Sequence, residues 1–259
     1  MELIPKIIHC CWFGSKPIPE KESNCIKSWK KFLPDYEIRI WNEKNFNLND
    51  CLFVQQAYEA KKYAFVSDYV RVKVLEEFGG LYLDTDFEIL GDMHSILNEG
   101  INFVGFETSR QVGTAILAFR PHDSLIKSFL THYQTHHFID ENGRVDNIAN
   151  VSMLTDLLVK KGLKLNRSKQ DVAGIRVYNR EYFYPKRVGD NEFLITKETV
   201  GVHRCSNSWM TDKEKKRGNN IIWIKCCRPV LLSIKSVLTN IIGKEKTRKI
   251  EIKIRNILK

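Results

Sequence analysis

Residues 81–86 read Leu-Tyr-Leu-Asp-Thr-Asp, which puts two carboxylates at i and i+2 directly after a short apolar run. Hard divalent cations take carboxylate oxygens, and a cation held there can meet the negative charge that grows on a departing diphosphate. Asp84 and Asp86 can divide that work, one on the metal and one on the substrate. Such a triplet also occurs as a turn or a surface pair, so its neighbours decide its value. Asp68 and Arg71 stand at i and i+3, on one face of the largely apolar segment 64–78. Charges on so apolar a helix are costly unless paired or functional. A structural ion pair is one reading of them and a substrate-binding pair the other.

These four residues act together only if the chain folds back between them. Residues 64–78 contain no Gly or Pro and read as a helix that Gly79-Gly80 stops. The strand 81–83 follows at once, in a hairpin-like arrangement that can bring Asp68, Arg71, Asp84 and Asp86 to one rim. Around this unit, residues 4–13 read as a buried first strand and 36–41 as an alternating one. Helices are expected at 20–33, 51–62, 123–136 and 146–161, and strands at 101–106, 115–119, 172–178 and 199–203. Alternating strands and helices predict an α/β sheet covered on both faces. Ligands of such sheets collect at the carboxyl ends of the strands, and Asp84 and Asp86 lie at such an end.

The block SDYVRVKVLEEFGGLYLDTDFEIL (67–90) resembles the DXD sugar-binding region of glycosyltransferase family 32. It is also similar to the catalytic core of the large clostridial glucosylating toxins. The opening IPKIIHCCWFG matches the family's first strand, and the matching segments run from about residue 4 to 209. The resemblance implies a GT-A-type α/β domain that takes a hexose from a nucleoside diphosphate, UDP by expectation, with retention at the sugar carbon. It also implies Mn²⁺ or Mg²⁺; a set of oxygens with one imidazole suits Mn²⁺ better. The acceptor expected from the family is a surface glycan, such as a capsular or lipopolysaccharide intermediate.

By the same resemblance, Asp68 and Arg71 bond the donor sugar hydroxyls, Asp84 contacts ribose and sugar, and Asp86 binds the metal, with Asp84 beside it. Trp12 takes the place of an aromatic that stacks on the uracil base; a core aromatic at a strand end is its other reading. Asn45, in WNEKNF, matches a donor-contacting Asn, and Tyr82 belongs either to the pocket or to the core. The family's late His-His-x-x-x-Ser-Trp pattern reads here as His203-Arg204-x-x-x-Ser208-Trp209. That makes His203 a metal ligand, Ser208 a donor contact, and Trp209 a contact to the diphosphate or glycosidic oxygen. Arg204 replaces the second His: either it neutralises the diphosphate, or it weakens the assignment of His203. His132, His136 and His137 lack a carboxylate pattern to complete a site and read as a solvated helix end.

The 259 residues are 43% hydrophobic and 11% aromatic, enough for a sizeable core. Two parts are expected: a catalytic domain over 1–220 and a basic tail over 221–259. The net charge is +10, and the tail carries most of it, with ten Lys/Arg against two Asp/Glu. Val230, Leu231, Ile234, Val237, Leu238, Ile241 and Ile242 form a helical stripe there, which predicts an interfacial helix on anionic lipid. A helical pair packed on the domain with a solvated basic face is the bland alternative. A nucleic-acid-binding protein with a basic arm is the rival function. The near-neutral body and the isoleucine stripe count against it, so no nucleic-acid partner is expected. No signal peptide or membrane span is expected, and seven Cys without a CxxC read as reduced thiols. The expected location is cytoplasmic, peripheral at the inner face of a bacterial membrane.

Overall fold

The computed structural model describes residues 3–140, 145, 149–185, 192–205, 228–243, 247 and 250. The chain divides into two compact units, Met1–Arg187 with Asn191–Trp209, and Val188–Asp190 with Met210–Lys259.

The first unit is built on a seven-stranded mixed sheet. Its strands are β1 (Ile7–Cys11), β2 (Glu37–Trp41), β3 (Gly80–Leu83), β5 (Asn102–Gly105), β6 (Ile116–Phe119), β7 (Gln170–Val172) and β8 (Ile175–Tyr178). They lie in the order β2-β1-β3-β6-β5-β8-β7. β1 runs parallel to β2 and β3, β6 is antiparallel to both β3 and β5, and β8 is parallel to β5. The carboxyl ends of β1, β2, β3, β5 and β8 therefore share one rim. β3, β5 and β6 are fully buried, as strands covered on both faces must be, and apolar except for Asn102, whose amide is bonded to Asp123 and the Arg120 N–H. The outer strand β2 carries Glu37 and Arg39, charges that suit a sheet edge.

The α-helices of this unit are α1 (Glu20–Phe32), α2 (Leu52–Glu59), α3 (Tyr63–Phe78), the short α4 (His94–Leu97), α5 (Ser124–Thr135) and α6 (Asn150–Lys160). Side-chain alternation feeds two cores. Tyr82, Leu117 and Phe119 join residues of α2, α3, α5 and α6, while Leu81, Leu83, Ile116 and Ala118 join Trp29, Leu33, Phe87 and Phe183.

The joint between α3 and β3 places the carboxylates. Gly79 and Gly80 have φ of 62° and 103°, a region that only glycine enters cheaply. A Cβ on Gly80 would stand 2.7 Å from the Ile7 carbonyl oxygen, so its absence lets β3 lie beside β1. Buried His9 locks the same joint. Its Nε2 donates to the Gly79 carbonyl at 2.8 Å, and its Nδ1 accepts from Trp41 Nε1 at 3.0 Å. One neutral tautomer satisfies both bonds, and burial pushes the ring down to about 4.

Every expected strand and helix of the first unit is present, with two departures. Residues 170–178 form a hairpin, β7 and β8, because Ala173 (φ 50°) and Gly174 (φ 80°) turn the chain inside the stretch read as one strand. A second, two-stranded sheet pairs β4 (Phe87–Ile89) with β9 (Gly201–His203). β4 follows the carboxylates too closely for periodicity to reveal it. In the second unit α7 (Arg228–Ile242) is described, with Val230, Leu231, Ile234, Val237 and Ile241 at least half exposed. Among the described residues no helix is long and apolar enough to cross a membrane.

Candidate active site at the carboxyl rim

Asp84 is the first residue beyond β3. Its N–H donates to the Ala115 carbonyl at 2.9 Å, which ties it to the start of β6. The Phe87 N–H returns to the Asp84 carbonyl at 2.8 Å, closing a turn that aims Asp84 and Asp86 outward before β4 begins. β4 then pairs with β9 so that Phe87 lies opposite His203, and the Arg204 N–H donates to the Asp86 carbonyl at 2.9 Å. This small sheet brings residue 203 to residue 86. His203 Nε2 lies 3.2 Å from Asp86 Oδ1 and 4.0 Å from Asp84 Oδ2. Asp84, Asp86 and His203 each offer one donor atom, all within 4.8 Å of one another.

Burial opposes charge on His203, but its bonds to Asp86 and then Cys205 outweigh it and hold the imidazole well above its ordinary value. The imidazole proton thus offsets the two carboxylates. Two carboxylates and an imidazole form a donor set that suits a divalent cation, and such a cation can replace that proton.

Behind the carboxylates stands Arg71, with its side chain 6% exposed. Its guanidinium lies 2.9 Å from Asp68 Oδ1 and 3.3 Å from Asp84 Oδ1, and it donates to the Thr114 carbonyl at 2.8 Å. It also sits 4.7 Å over the Tyr82 ring. Tyr82 is itself buried and donates its hydroxyl to Asp84 Oδ1 at 3.1 Å. Asp68 accepts a second bond from Asn150 Nδ2 at 2.6 Å. Burial raises Asp68 to about 6, with Arg71 opposing and Asp84 adding to the rise. Of the four charged residues expected at one rim, Asp68, Arg71 and Asp84 are linked through the Arg71 guanidinium, and Asp86 stands beside them with an oxygen within 4.8 Å of one of Asp84's.

Trp12 and Asn45 lie on the same rim, past β1 and β2. Trp12 is half-buried and donates its ring N–H to the Lys16 carbonyl at 2.7 Å. Asn45 is exposed, and both ends of its amide serve its own loop, through the Ile40 carbonyl at 3.0 Å and the Asn42 N–H at 2.8 Å. Arg204 forms an ion pair with Glu88, which occupies its guanidinium. Ser208 and Trp209 lie outside the described residues. His132 and His136 stack at 3.8 Å at the end of α5, apart from any carboxylate cluster among the described residues.

Sequence reasoning missed three supports. Asn150 holds Asp68, the Thr114 carbonyl holds Arg71, and buried Tyr184 accepts the Ala115 N–H at 3.1 Å while its ring meets that of His203. A backbone carbonyl leaves no mark in sequence. Asn150 and Tyr184 are ordinary residues until the fold brings them 82 and 69 positions back along the chain.

Residues 19–101 match the family model described as a glycosyltransferase sugar-binding region containing the DXD motif. Rat lactosylceramide 4-alpha-galactosyltransferase is 31% identical over 140 residues, which is 52% of this chain and 35% of that protein. Inositol phosphoceramide mannosyltransferase 3 of Schizosaccharomyces pombe is 37% identical over 87 residues, 32% of this chain and 24% of that protein. The chain thus spans about a third or less of these curated relatives. Among solved structures, the PaToxG glycosyltransferase aligns with a TM-score of 0.48 at 21% identity, over 62% of this chain and 71% of its own. The galactosyltransferase LgtC, in complex with donor and acceptor sugar analogues, aligns with a TM-score of 0.41 at 16% identity, over 83% and 94%.

Proposed function

We propose that this chain is a retaining, metal-dependent glycosyltransferase that moves a hexose from a UDP-linked donor to a lipid-borne glycan. The observation that carries the reading is the convergence of Asp84, Asp86 and His203 beside the Arg71–Asp68 pair, within and next to the segment that matches the DXD model.

A divalent cation, Mn²⁺ by the donor set, would be held by Asp86, Asp84 and His203 and would supply positive charge to the departing diphosphate. The protein's own groups do the rest. Asp68, fixed by Arg71 and Asn150, is assigned to accept bonds from the sugar hydroxyls and to hold the ring as positive charge develops on its carbon. Arg71 sets the spacing of Asp68 and Asp84 and keeps their charges compatible. Tyr82 fixes the Asp84 carboxylate by its hydroxyl bond. Trp12 is assigned to the base of the nucleotide, and Ser208 and Trp209 to the donor phosphates. Asn45 shapes the loop beyond β2, from which a donor contact is made.

The acceptor is proposed to be carried on a lipid. The matched relatives' names place their own acceptor groups on ceramides, and here the basic segment 221–259 is assigned to an anionic membrane surface, with the α7 stripe against it. On this reading the enzyme works at the inner face of a bacterial membrane on a capsular or lipopolysaccharide intermediate.

The test is nucleotide release from a panel of UDP- and GDP-sugars, with Mn²⁺ or with chelator, beside Asp86→Ala. Metal-dependent release that the variant loses is the expected result. Absence of both release and Mn²⁺–nucleotide binding would refute the reading. Removing residues 221–259 should abolish binding to anionic vesicles, and unchanged partition would refute the membrane assignment.

A further inference from the structure

The rim holds a further carboxylate besides Asp68, Asp84 and Asp86. β5 and β3 run in the same direction with β6 between them, so the chain leaving β5 emerges at the edge that carries Asp84. Glu107 is the second residue past β5. A short hairpin fixes it: Phe106 bridges to Val112, the Glu107 N–H donates to the Gln111 carbonyl at 3.0 Å, and the Gly113 N–H donates to the Gly105 carbonyl at 2.9 Å. The hairpin packs tightly, because a Cβ on Gly113 would stand 2.4 Å from the Tyr184 hydroxyl.

The Glu107 side chain is half-buried, and its carboxylate takes no hydrogen bond or ion pair among the described residues. Groups within its electrostatic reach are His203, Asp84 and Arg180. Arg180 leaves the carboxyl end of β8, on the same rim, and spends its Nε on the Tyr184 carbonyl at 2.8 Å. Its two terminal nitrogens take no partner among the described residues. Burial raises Glu107, with His203 and Arg180 opposing and Asp84 adding to the rise. The Glu107 carboxylate and the two terminal nitrogens of Arg180 stand past the carboxyl ends of the neighbouring parallel strands β5 and β8, and because no fully buried side-chain nitrogen or oxygen among the described residues lacks a partner, these atoms open to solvent, where a ligand that both accepts and donates can reach them. A sugar hydroxyl pair does both.

We propose that Glu107 and Arg180 form the acceptor subsite, in which Glu107 accepts a hydrogen bond from the attacking hydroxyl and Arg180 donates to a neighbouring one. The inference rests on the glycosyltransferase reading above. In the step it serves, the acceptor oxygen bonds to the sugar carbon and the bond from that carbon to the diphosphate oxygen breaks. The acceptor's proton passes to the departing phosphate oxygen, and nothing is oxidised or reduced.

The experiment separates donor binding from turnover. Glu107→Ala and Arg180→Met are compared with the parent and Asp86→Ala for Mn²⁺–UDP binding by calorimetry and for UDP release from UDP-hexoses in water, where water occupies the acceptor's place. The expected result is Mn²⁺–UDP affinity within about twofold of the parent, with release slowed by about 100-fold in Glu107→Ala. Glu107→Gln keeps a hydrogen-bond acceptor and should recover part of the rate. Weakened Mn²⁺–UDP binding in Glu107→Ala would overturn the proposal, because the residue would then belong to the donor half. So would an unchanged release rate, or a parent that binds Mn²⁺–UDP and releases none from any donor. A parent that binds no Mn²⁺–UDP at all would instead fail the glycosyltransferase reading itself.

Discussion

Arg71→Met should destabilise the metal-free protein by about 3–5 kcal/mol, the cost of removing one partner from a buried charge pair. The structure explains the size. Arg71 is 6% exposed and contacts Asp68 at 2.9 Å, Asp84 at 3.3 Å and the Thr114 carbonyl at 2.8 Å. Methionine fills the volume of the stem but supplies no donor. It leaves Asp68, 18% exposed, without its cation and the Thr114 carbonyl without its bond. For a domain of this size, each kcal/mol moves the melting temperature by about 2–4 °C, so the fall should be about 6–20 °C. Urea unfolding with chelator present measures the difference without any contribution from metal or donor. The double variant Arg71→Met/Asp68→Asn also removes the stranded carboxylate, and should recover at least about 1 kcal/mol through the coupling of contacting residues. A single-variant loss under about 1 kcal/mol, with an additive double variant, would refute the view that Arg71 holds the site together.

Mn²⁺ should raise the melting temperature of the parent, by the equivalent of about 2.7 kcal/mol at a hundredfold excess over Kd, and should leave Asp86→Ala and His203→Ala unmoved; an equal rise in His203→Ala would remove His203 from the ligand set. The pH dependence of stability contains two opposed slopes. Asp68 lies at about 6 in the folded state against 3.8 ordinarily, so the fold keeps a proton that the unfolded chain releases, and stability falls as pH rises through that window. His9 lies at about 4 against 6.5, so the unfolded chain holds the extra proton, and stability rises with pH over nearly the same range. Asp68→Asn removes the first slope, and its urea midpoint should climb more between pH 4 and pH 6 than the parent's; parallel curves would contradict the assignment. Gly80→Ala should cost about 1–3 kcal/mol from its left-handed backbone alone, with the approach to the Ile7 carbonyl adding to it, and an unchanged melting curve would show that the joint tolerates a side chain.

The helices, most of the strands and the hairpin-like unit of α3 and β3 were legible in residue patterns alone. Hydrophobic periodicity, the Gly79-Gly80 stop and the spacing of Asp68, Arg71, Asp84 and Asp86 are all local signals. Four residues within nineteen positions can be brought to one rim by a single helix, a two-glycine joint and a short strand, so local rules suffice. The resemblance added His203, which periodicity alone would have left as one more histidine at a strand end.

Other features were settled only in the tertiary structure. His203 meets Asp86 because the three-residue strands β4 and β9 pair across more than a hundred positions, and strands that short carry no readable period. Arg204 proved to be the partner of Glu88, a choice set by the same register. Asn150, Tyr184, Glu107 and the Thr114 carbonyl took their places through long-range packing. The physical reason is common to them all. Local propensity acts through neighbours a few residues apart, whereas a site at the rim of a mixed sheet is assembled from the ends of strands that only the sheet's order brings together.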